Sequence, residues 1–213
     1  MRESNRPFAD VVETEAELRE IMGKPGGLAV GKQLDHLDRH CRSFIALSPF
    51  VLVGTSDASG RYDVSPRGDE PGFVLVLDEK TLALPERPGN RRLDSLLNVL
   101  ETGSVGLLFL VPGFEETLRV NGRAWVVRDA GILGRTAAHG KLPPAAIGVE
   151  VEECFLHCAK AFKRSEIWRP EGWPERSALP SLGQMFRDQG AVPGVSSEEL
   201  DRRIGESYAK RLY

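Results

Sequence analysis

Cysteine is scarce in this chain: Cys41, Cys154 and Cys158 are the three in 213 residues. An odd, low count does not make a disulfide framework, and reduced thiols in a cytoplasm are the simpler reading. Long hydrophobic runs are also missing. The longest apolar stretch lies near Val105–Pro112, far short of the ~20 residues with which a helix crosses a bilayer. The opening MRESNRPFAD has no apolar core for a secretory signal. Nor does one sign of charge prevail. Lys and Arg number 28 against 31 Asp and Glu, a formal net charge of −3. No global basic field therefore draws the chain to nucleic acid or to an anionic membrane, and any bound phosphate needs a local cluster of cations. These absences predict a soluble, cytoplasmic protein with neither a nucleic-acid nor a membrane partner.

What is present is ordinary for a globular chain: 41% apolar and 28% charged residues, in a length that suits one core with a small appendage. The first forty-odd residues read as helical. Thr14-Glu-Ala-Glu17 fits a capping box, and Gly23, Pro25, Gly26 and Gly27 stop that helix. A second helix is predicted over Lys32–Ala46, with Leu34, Leu37, Cys41, Phe44 and Ile45 on one face. After Pro49 the texture changes to strands. Phe50–Thr55 and Arg61–Ser65 flank an Asp57–Gly60 turn and make a hairpin. The apolar run Gly72–Leu77 predicts a strand buried on both faces, and Thr81–Leu84 a further strand. Asn90–Leu100 reads as a helix, with Leu93, Leu96, Leu97 and Leu100 at helical spacing. Ser104–Val111, Thr117–Arg128 and Ala145–Phe155 complete about seven short, mostly antiparallel strands, which suggests a barrel or sandwich. From Trp168 on, the chain is helical and punctuated by proline. Its clearest helix is Ser196–Leu212, with Ser196 and Glu199 in capping-box register.

Two motifs mislead. Gly26-Gly-Leu-Ala-Val-Gly31-Lys32 matches most of a Walker A loop. However, Gln33 stands where Ser or Thr should hold magnesium, and the segment follows a helix instead of a strand. His36 and His40 have the spacing of one helical turn. A zincin would carry Glu where Leu37 stands, so no metal site is predicted.

The informative stretch runs from Leu84 to Asn98. With Asn90 as N-cap, Arg91 and Arg92 fall in the first helical turn, where the partial positive charge of free N–H groups opposes them. Arg87 adds a third cation. An anion at the helix start would resolve this conflict; alternatively the arginines splay into solvent or pair with Glu86 and Asp94. A second cluster, Ser65-Pro-Arg67-Gly-Asp69, ends the hairpin strand in a shaped loop or in an edge with solvated charges.

The order of these pieces resembles the FMN-binding split barrel of the pyridoxamine 5′-phosphate oxidase superfamily. It is especially similar to a bacterial branch that carries the same Ser-Pro-Arg-Gly-Asp and Arg-Pro-Gly-Asn stretches. The resemblance covers about Phe44–Trp168 and includes Val105–Leu110 and Leu118-Arg-Val-Asn-Gly-Arg123. It implies an α+β, mainly β fold: a split barrel of six to seven mostly antiparallel strands with flanking N- and C-terminal helices. On that basis residues 1–47 are an N-terminal helical segment packing on the barrel, 48–168 the FMN-binding domain and 169–213 a C-terminal helical extension.

The same resemblance implies a cofactor site. Arg91 and Arg92 match the family's phosphate-binding pair, with Arg87 and Asn90 beside them. Val64, Ser65, Pro66 and Arg67 match the strand that lines the flavin ring. Thr117 stands where the family often has a Gln that reaches the flavin. The C-terminal segment that grips the vitamin's phosphate is not found, and Cys154–Arg164 stands in its place, which argues against that substrate. His157 and Lys160 are candidates for a substrate pocket shared across a homodimer; a packed His and a surface Lys is the plain alternative. The resemblance also implies a homodimer with FMN at the subunit interface, where the second subunit covers the flavin at the barrel's open seam; Val74, Val76, Leu108 and Leu110 would supply apolar surface to the core or to that seam. The implied function is that of an FMN-dependent oxidoreductase acting on a small molecule, with no general base identified. A non-catalytic flavin-, deazaflavin- or haem-binding protein is the alternative.

Overall fold

Local capping fixes the first helix, α1 (Glu15–Met22). The Thr14 hydroxyl accepts from the Glu17 N–H, and the Glu17 carboxylate accepts in return from the Thr14 N–H. Gly23, at φ 76°, ends it. The computed structural model describes residues 7–213; residues 1–6 of the opening stretch searched above for a signal lie outside them. The chain divides after Gln33 into two units. The smaller holds α1 and a short α2 (Gly27–Gly31), so the Walker-like glycines form a helical turn after a helix.

In the larger unit the next helix starts later than its apolar spacing suggests. α3 spans Arg39–Leu47, with the Asp38 carboxylate accepting from the Cys41 N–H at 2.8 Å. The residues before it are drawn out of helix because Leu34 exchanges two backbone hydrogen bonds with Cys154. His36 therefore precedes the helix, and the one-turn relation to His40 does not exist. Leu37, Cys41 and Ile45 enter the core.

Seven strands form one antiparallel sheet: β1 (Phe50–Ser56), β2 (Tyr62–Gly68), β3 (Leu75–Val76), β4 (Thr81–Pro85), β5 (Ser104–Leu110), β6 (Thr117–Val127) and β7 (Ala146–His157). Their order is β2-β1-β5-β6-β7-β4-β3. Register alternation sorts their side chains. Val53, Leu107, Val120 and Cys154 lie in one inward row and are at most 1% exposed. Val64, Gly54, Gly106, Asn121 and Glu153 form the neighbouring row on the outer face. The run Gly72–Leu77 yields only the two-residue β3. Val74 is buried while Phe73, Leu75 and Val76 are half-buried, because the segment lies at the sheet's edge and not between two layers. A bulge at Asn121/Gly122 lets β6 bend over β7. A Cβ on Gly122 would sit 2.0 Å from the Glu150 carbonyl oxygen.

The sheet curls on itself. β2 ends one side of it and β4 lies next to the other, yet Arg67 of β2 reaches Glu86, just past β4, at 3.3 Å. Asp69, just past β2, meets Arg87 at 2.6 Å. Side chains, not ladder hydrogen bonds, join the two ends, so the barrel is split along this seam.

α4 (Asp94–Thr102) lies between β4 and β5 and is tied to β1 by Asn98 donating to Thr55 and Thr102 donating to the Ser56 carbonyl. The short α5 (Ala130–Arg135) and α6 (Lys160–Ser165) carry too few residues to show a period in the sequence. α7 (Leu182–Asp188) and α8 (Ser197–Lys210) pack as a pair. Gly183 makes this close approach possible: its N–H donates to Asp201 at 2.8 Å, and a Cβ would lie 2.4 Å from the Ser197 carbonyl oxygen. Ser196 caps α8 through the Glu199 N–H. The Glu199 carboxylate does not return the bond; it pairs with Arg202 and Arg203.

Candidate functional site

At the seam a cleft of about 1550 Å³ opens. One side is built by Ser65 and Arg67 of β2, the loop Glu86–Leu93 and the start of α4; the other by one face of α8 and by Tyr213.

A directed hydrogen-bond chain crosses the first side. Arg67 donates from Nη1 to the Ser65 hydroxyl at 2.8 Å and from Nε to Glu86. The Ser65 and Ser95 hydroxyls are 2.8 Å apart, and Ser95 donates to Asp63 at 2.6 Å. Each hydroxyl has one proton. With that of Ser95 given to Asp63, Ser65 must donate to Ser95. The chain thus runs from guanidinium to carboxylate, and Ser95, which is buried, is satisfied within it.

Arg87 is held by the fold. Its Nε donates to Asp69 Oδ2, while the Tyr213 hydroxyl donates to Oδ1 at 2.7 Å. Burial pushes the Asp69 pKa up, but the hydrogen bonds from Tyr213, the Glu70 N–H and Arg87 outweigh it, and the carboxyl stays below its ordinary range. The same bond holds the Tyr213 phenol above its ordinary value. Tyr213 also packs against His139 at 4.2 Å between ring centroids and accepts from Lys141 at its backbone carbonyl.

The arginine pair differs from its expected setting. α4 begins at Asp94, so Asn90 is not its N-cap, and Arg91 and Arg92 precede the helix. The Asn90 side chain instead accepts from the Arg92 N–H at 3.0 Å, closing an Asx turn. Arg91 and Leu93 take left-handed backbone, φ 61° and 62°, which stops the helix from extending back through them. The predicted conflict with the macrodipole does not arise, because Asp94 occupies the first turn and pairs with Arg92 at 2.8 Å. Leu93 at the N-cap offers no side-chain acceptor, so the first N–H groups of α4 lack the usual cap beside Arg91. The Arg91 guanidinium has no partner among the described residues.

Seven of the residues singled out in the sequence therefore meet in one cleft: Ser65, Pro66, Arg67, Arg87, Asn90, Arg91 and Arg92. Four do not line it. Val64 alternates to the outer face of β2, where it is 67% exposed. Thr117 is buried and pairs with His157 across β6 and β7. His157 packs on Phe155, 5.1 Å between ring centroids. Lys160 opens α6. The sequence reading missed Ser95, Tyr213 and the face of α8 that carries Ile204, Ser207 and Tyr208, with Arg211 at its C-cap. The i, i+3, i+4 spacing of that face was the available signal; Ser95 gave none. Five arginines face three carboxylates in the lining, Asp63, Glu86 and Asp94. Among the described residues no group of three or more His, Cys, Asp or Glu is placed to hold a metal, and no helix is long and apolar enough to cross a membrane.

The family model described as pyridoxamine 5′-phosphate oxidase matches residues 37–158, more than half of the chain. Among solved structures, HupZ of Group A Streptococcus is similar at 18% identity and TM-score 0.47, covering 56% of this chain and 92% of that one. An FMN-binding protein from Syntrophomonas wolfei is similar at 11% identity and TM-score 0.44, covering 57% and 84%. A separate likeness, 34% identical over 85 residues, is to ribose import ATP-binding protein RbsA 1 of Rubrobacter xylanophilus. It takes in 38% of this chain and spans only 17% of that protein's length.

Proposed function

Since the chain belongs to the pyridoxamine 5′-phosphate oxidase family, we propose that it binds FMN in the seam cleft and is a cytoplasmic, flavin-dependent oxidoreductase acting on a small molecule. Residues 48–168 form the FMN-binding domain in this reading. The observation that carries it is the Arg91 guanidinium, unpartnered among the described residues beside the uncapped start of α4. A guanidinium and free N–H groups in the lining of one cleft suit a phosphate. Two left-handed residues within the same short loop are the kind of strain that is kept where a loop must hold a ligand.

The cleft exceeds the ~300–1,000 Å³ of typical ligand sites, so a mononucleotide fits. Arg91 and Arg92 would hold its phosphate, with Asn90 fixing the turn. Arg67, oriented by Glu86 and Ser65, would stand near the ring, where a cation stabilises negative charge. Arg87 would act through its field while staying bonded to Asp69. When bound, the flavin supplies the electron transfer; the protein supplies binding, orientation and electrostatics. No histidine, cysteine or methionine lines the cleft; of the usual axial ligands of haem only tyrosine is present there, as Tyr208 and Tyr213, the latter bonded to Asp69.

A homodimer completes the reading. Tyr62, Val64 and Phe50 are exposed on the outer face of β1 and β2, and Gly54 and Gly106 pair there without side chains. A second copy on this face would cover Val64. Such an interface should bury about 2,000 Å² or more. A monomer by light scattering at micromolar concentration would remove this part.

The cofactor test is a fluorescence titration of the flavin-free protein with FMN and riboflavin. Arg91→Ala should weaken FMN binding by about 10- to 150-fold, the range for a charge-assisted contact, and riboflavin binding much less. Wild-type protein that binds neither flavin sinks the proposal. Equal losses for both flavins would take the phosphate away from Arg91.

A further inference from the structure

We propose that the end of α8 forms a second anion subsite in the cleft, where Arg211 takes the carboxylate or phosphate of the molecule on which the flavin acts. The inference rests on the flavin reading for the identity of its neighbour, but not for its own geometry.

Room comes first. At about 1550 Å³, the cleft exceeds the ~300–1,000 Å³ that single small ligands occupy. A mononucleotide at the Arg91 loop leaves space toward α8.

The wall across that space has the form of a binding surface. Ile204, Ser207 and Tyr208 fall on one face of α8, Arg211 is its C-cap, and all four line the cleft. Phe186 of α7 lines it beside them. The Gly183–Asp201 bond and the absence of a Cβ at Gly183 hold α7 close to α8, so the two helices form one wall. The Tyr213 hydroxyl anchors its far end to Asp69, at the opposite side of the seam.

Charge then selects the ligand. Arg67, Arg87 and Arg92 each have a carboxylate partner: Glu86, Asp69 and Asp94. On α8, Arg202 and Arg203 are paired with Glu199, and Arg202 also with Glu206. Like Arg91, the Arg211 side chain has no partner among the described residues. In a chain of formal net charge −3, this leaves a local positive excess with its two unpaired members on the loop and at the C-cap of α8. One suits the cofactor's phosphate. The other suits a second anion, and the Phe186 and Ile204 side chains that line the same cleft suit an apolar body. The substrate class is a small molecule with one carboxylate or phosphate on an apolar or aromatic frame.

Benzoate, a carboxylate on an aromatic ring, is the probe, and inorganic phosphate tests the anion alone. Calorimetric titration of the full-length protein, flavin-free and then FMN-loaded, is run on wild type, Arg211→Gln, Arg211→Lys and Arg202→Gln. Arg211→Gln should weaken benzoate binding about tenfold or more, with FMN affinity held within about twofold. Arg211→Lys should recover part of the loss and Arg202→Gln should show none. Wild type that binds neither probe, or Arg211→Gln that binds benzoate as wild type does, overturns the subsite. Equal loss of FMN and benzoate in Arg211→Gln also overturns it, since Arg211 would then belong to the cofactor's own site. If wild type binds benzoate through Arg211 but no FMN, the subsite stands and the flavin reading fails.

Discussion

Arg67 and Glu86 lie 3.3 Å apart although their strands stand near opposite ends of the sheet. Together with Asp69 and Arg87 at 2.6 Å, they bridge the seam along which the barrel stays open. Backbone pairing would have closed this gap and left no cleft. Ion pairs hold the two edges in register while the space beside them remains available to a ligand, so the seam's chemistry and the site's geometry have one origin.

The Asp69 carboxylate is 3% exposed and the Arg87 side chain 15%. Asp69→Asn should therefore destabilise the protein by about 3 kcal/mol, the cost of leaving a buried charge without its partner. Tyr213→Phe removes one hydrogen bond and should cost about 1 kcal/mol. Urea unfolding midpoints at constant m-value compare them. The folded pKa of Asp69 is depressed, so its contribution is full above the unfolded value near 3.8 and is lost as the pH falls through the lower folded value. Wild type should lose more stability than Asp69→Asn over that acid window; parallel curves would refute the linkage.

Arg91 and Arg92 should not be equivalent. Arg92 already pairs with Asp94, whereas Arg91 has no partner among the described residues. Arg91→Gly removes the cation and suits the left-handed φ of 61°. It should leave the unfolding midpoint unchanged or slightly raised while FMN binding falls about tenfold or more. Arg92→Ala should cost less binding. A larger loss from Arg92→Ala would reverse the assignment.

Gly183→Ala should undock α7 from α8, since the new Cβ would meet the Ser197 carbonyl oxygen at 2.4 Å. Overpacking of this kind costs about 1–3 kcal/mol. Faster hydrogen exchange should appear across 182–210 and leave the sheet protected. Exchange that rises equally in β5 and β6 would mean that the extension and the barrel unfold as one.

Thiol chemistry should separate the three cysteines. Cys158 is exposed, while Cys41 and Cys154 are buried with sulfurs 3.8 Å apart. The Cys154 sulfur and burial push the Cys41 thiol up, which keeps it from forming a reactive thiolate. A disulfide reagent should titrate one thiol quickly in the native protein and the others only on unfolding. Three fast thiols in native conditions would contradict this packing.

The sequence by itself determined what depends on neighbours along the chain. Thr14 and Glu17 cap α1, the Asp57–Gly60 turn makes the first hairpin, and period-two apolarity marks most of the strands. The order of strands and motifs also carried the family resemblance and gathered the Ser65–Arg67 and Arg87–Arg92 stretches as site candidates. Tertiary structure decided what distant residues impose on one another. Leu34 pairs with Cys154 and delays α3 to Arg39; the Asn90 Asx turn and two left-handed residues delay α4 to Asp94. Period alone cannot reveal such shifts, because the competing hydrogen bonds come from another strand or from a side chain. Val64 belongs to the outer face because alternation puts it opposite Ser65, although both were read from one motif. Ser95, Tyr213 and Arg211 entered the cleft's surroundings from 30 to more than 100 residues away. No local pattern encodes that meeting; curling of the sheet and docking of α8 produce it.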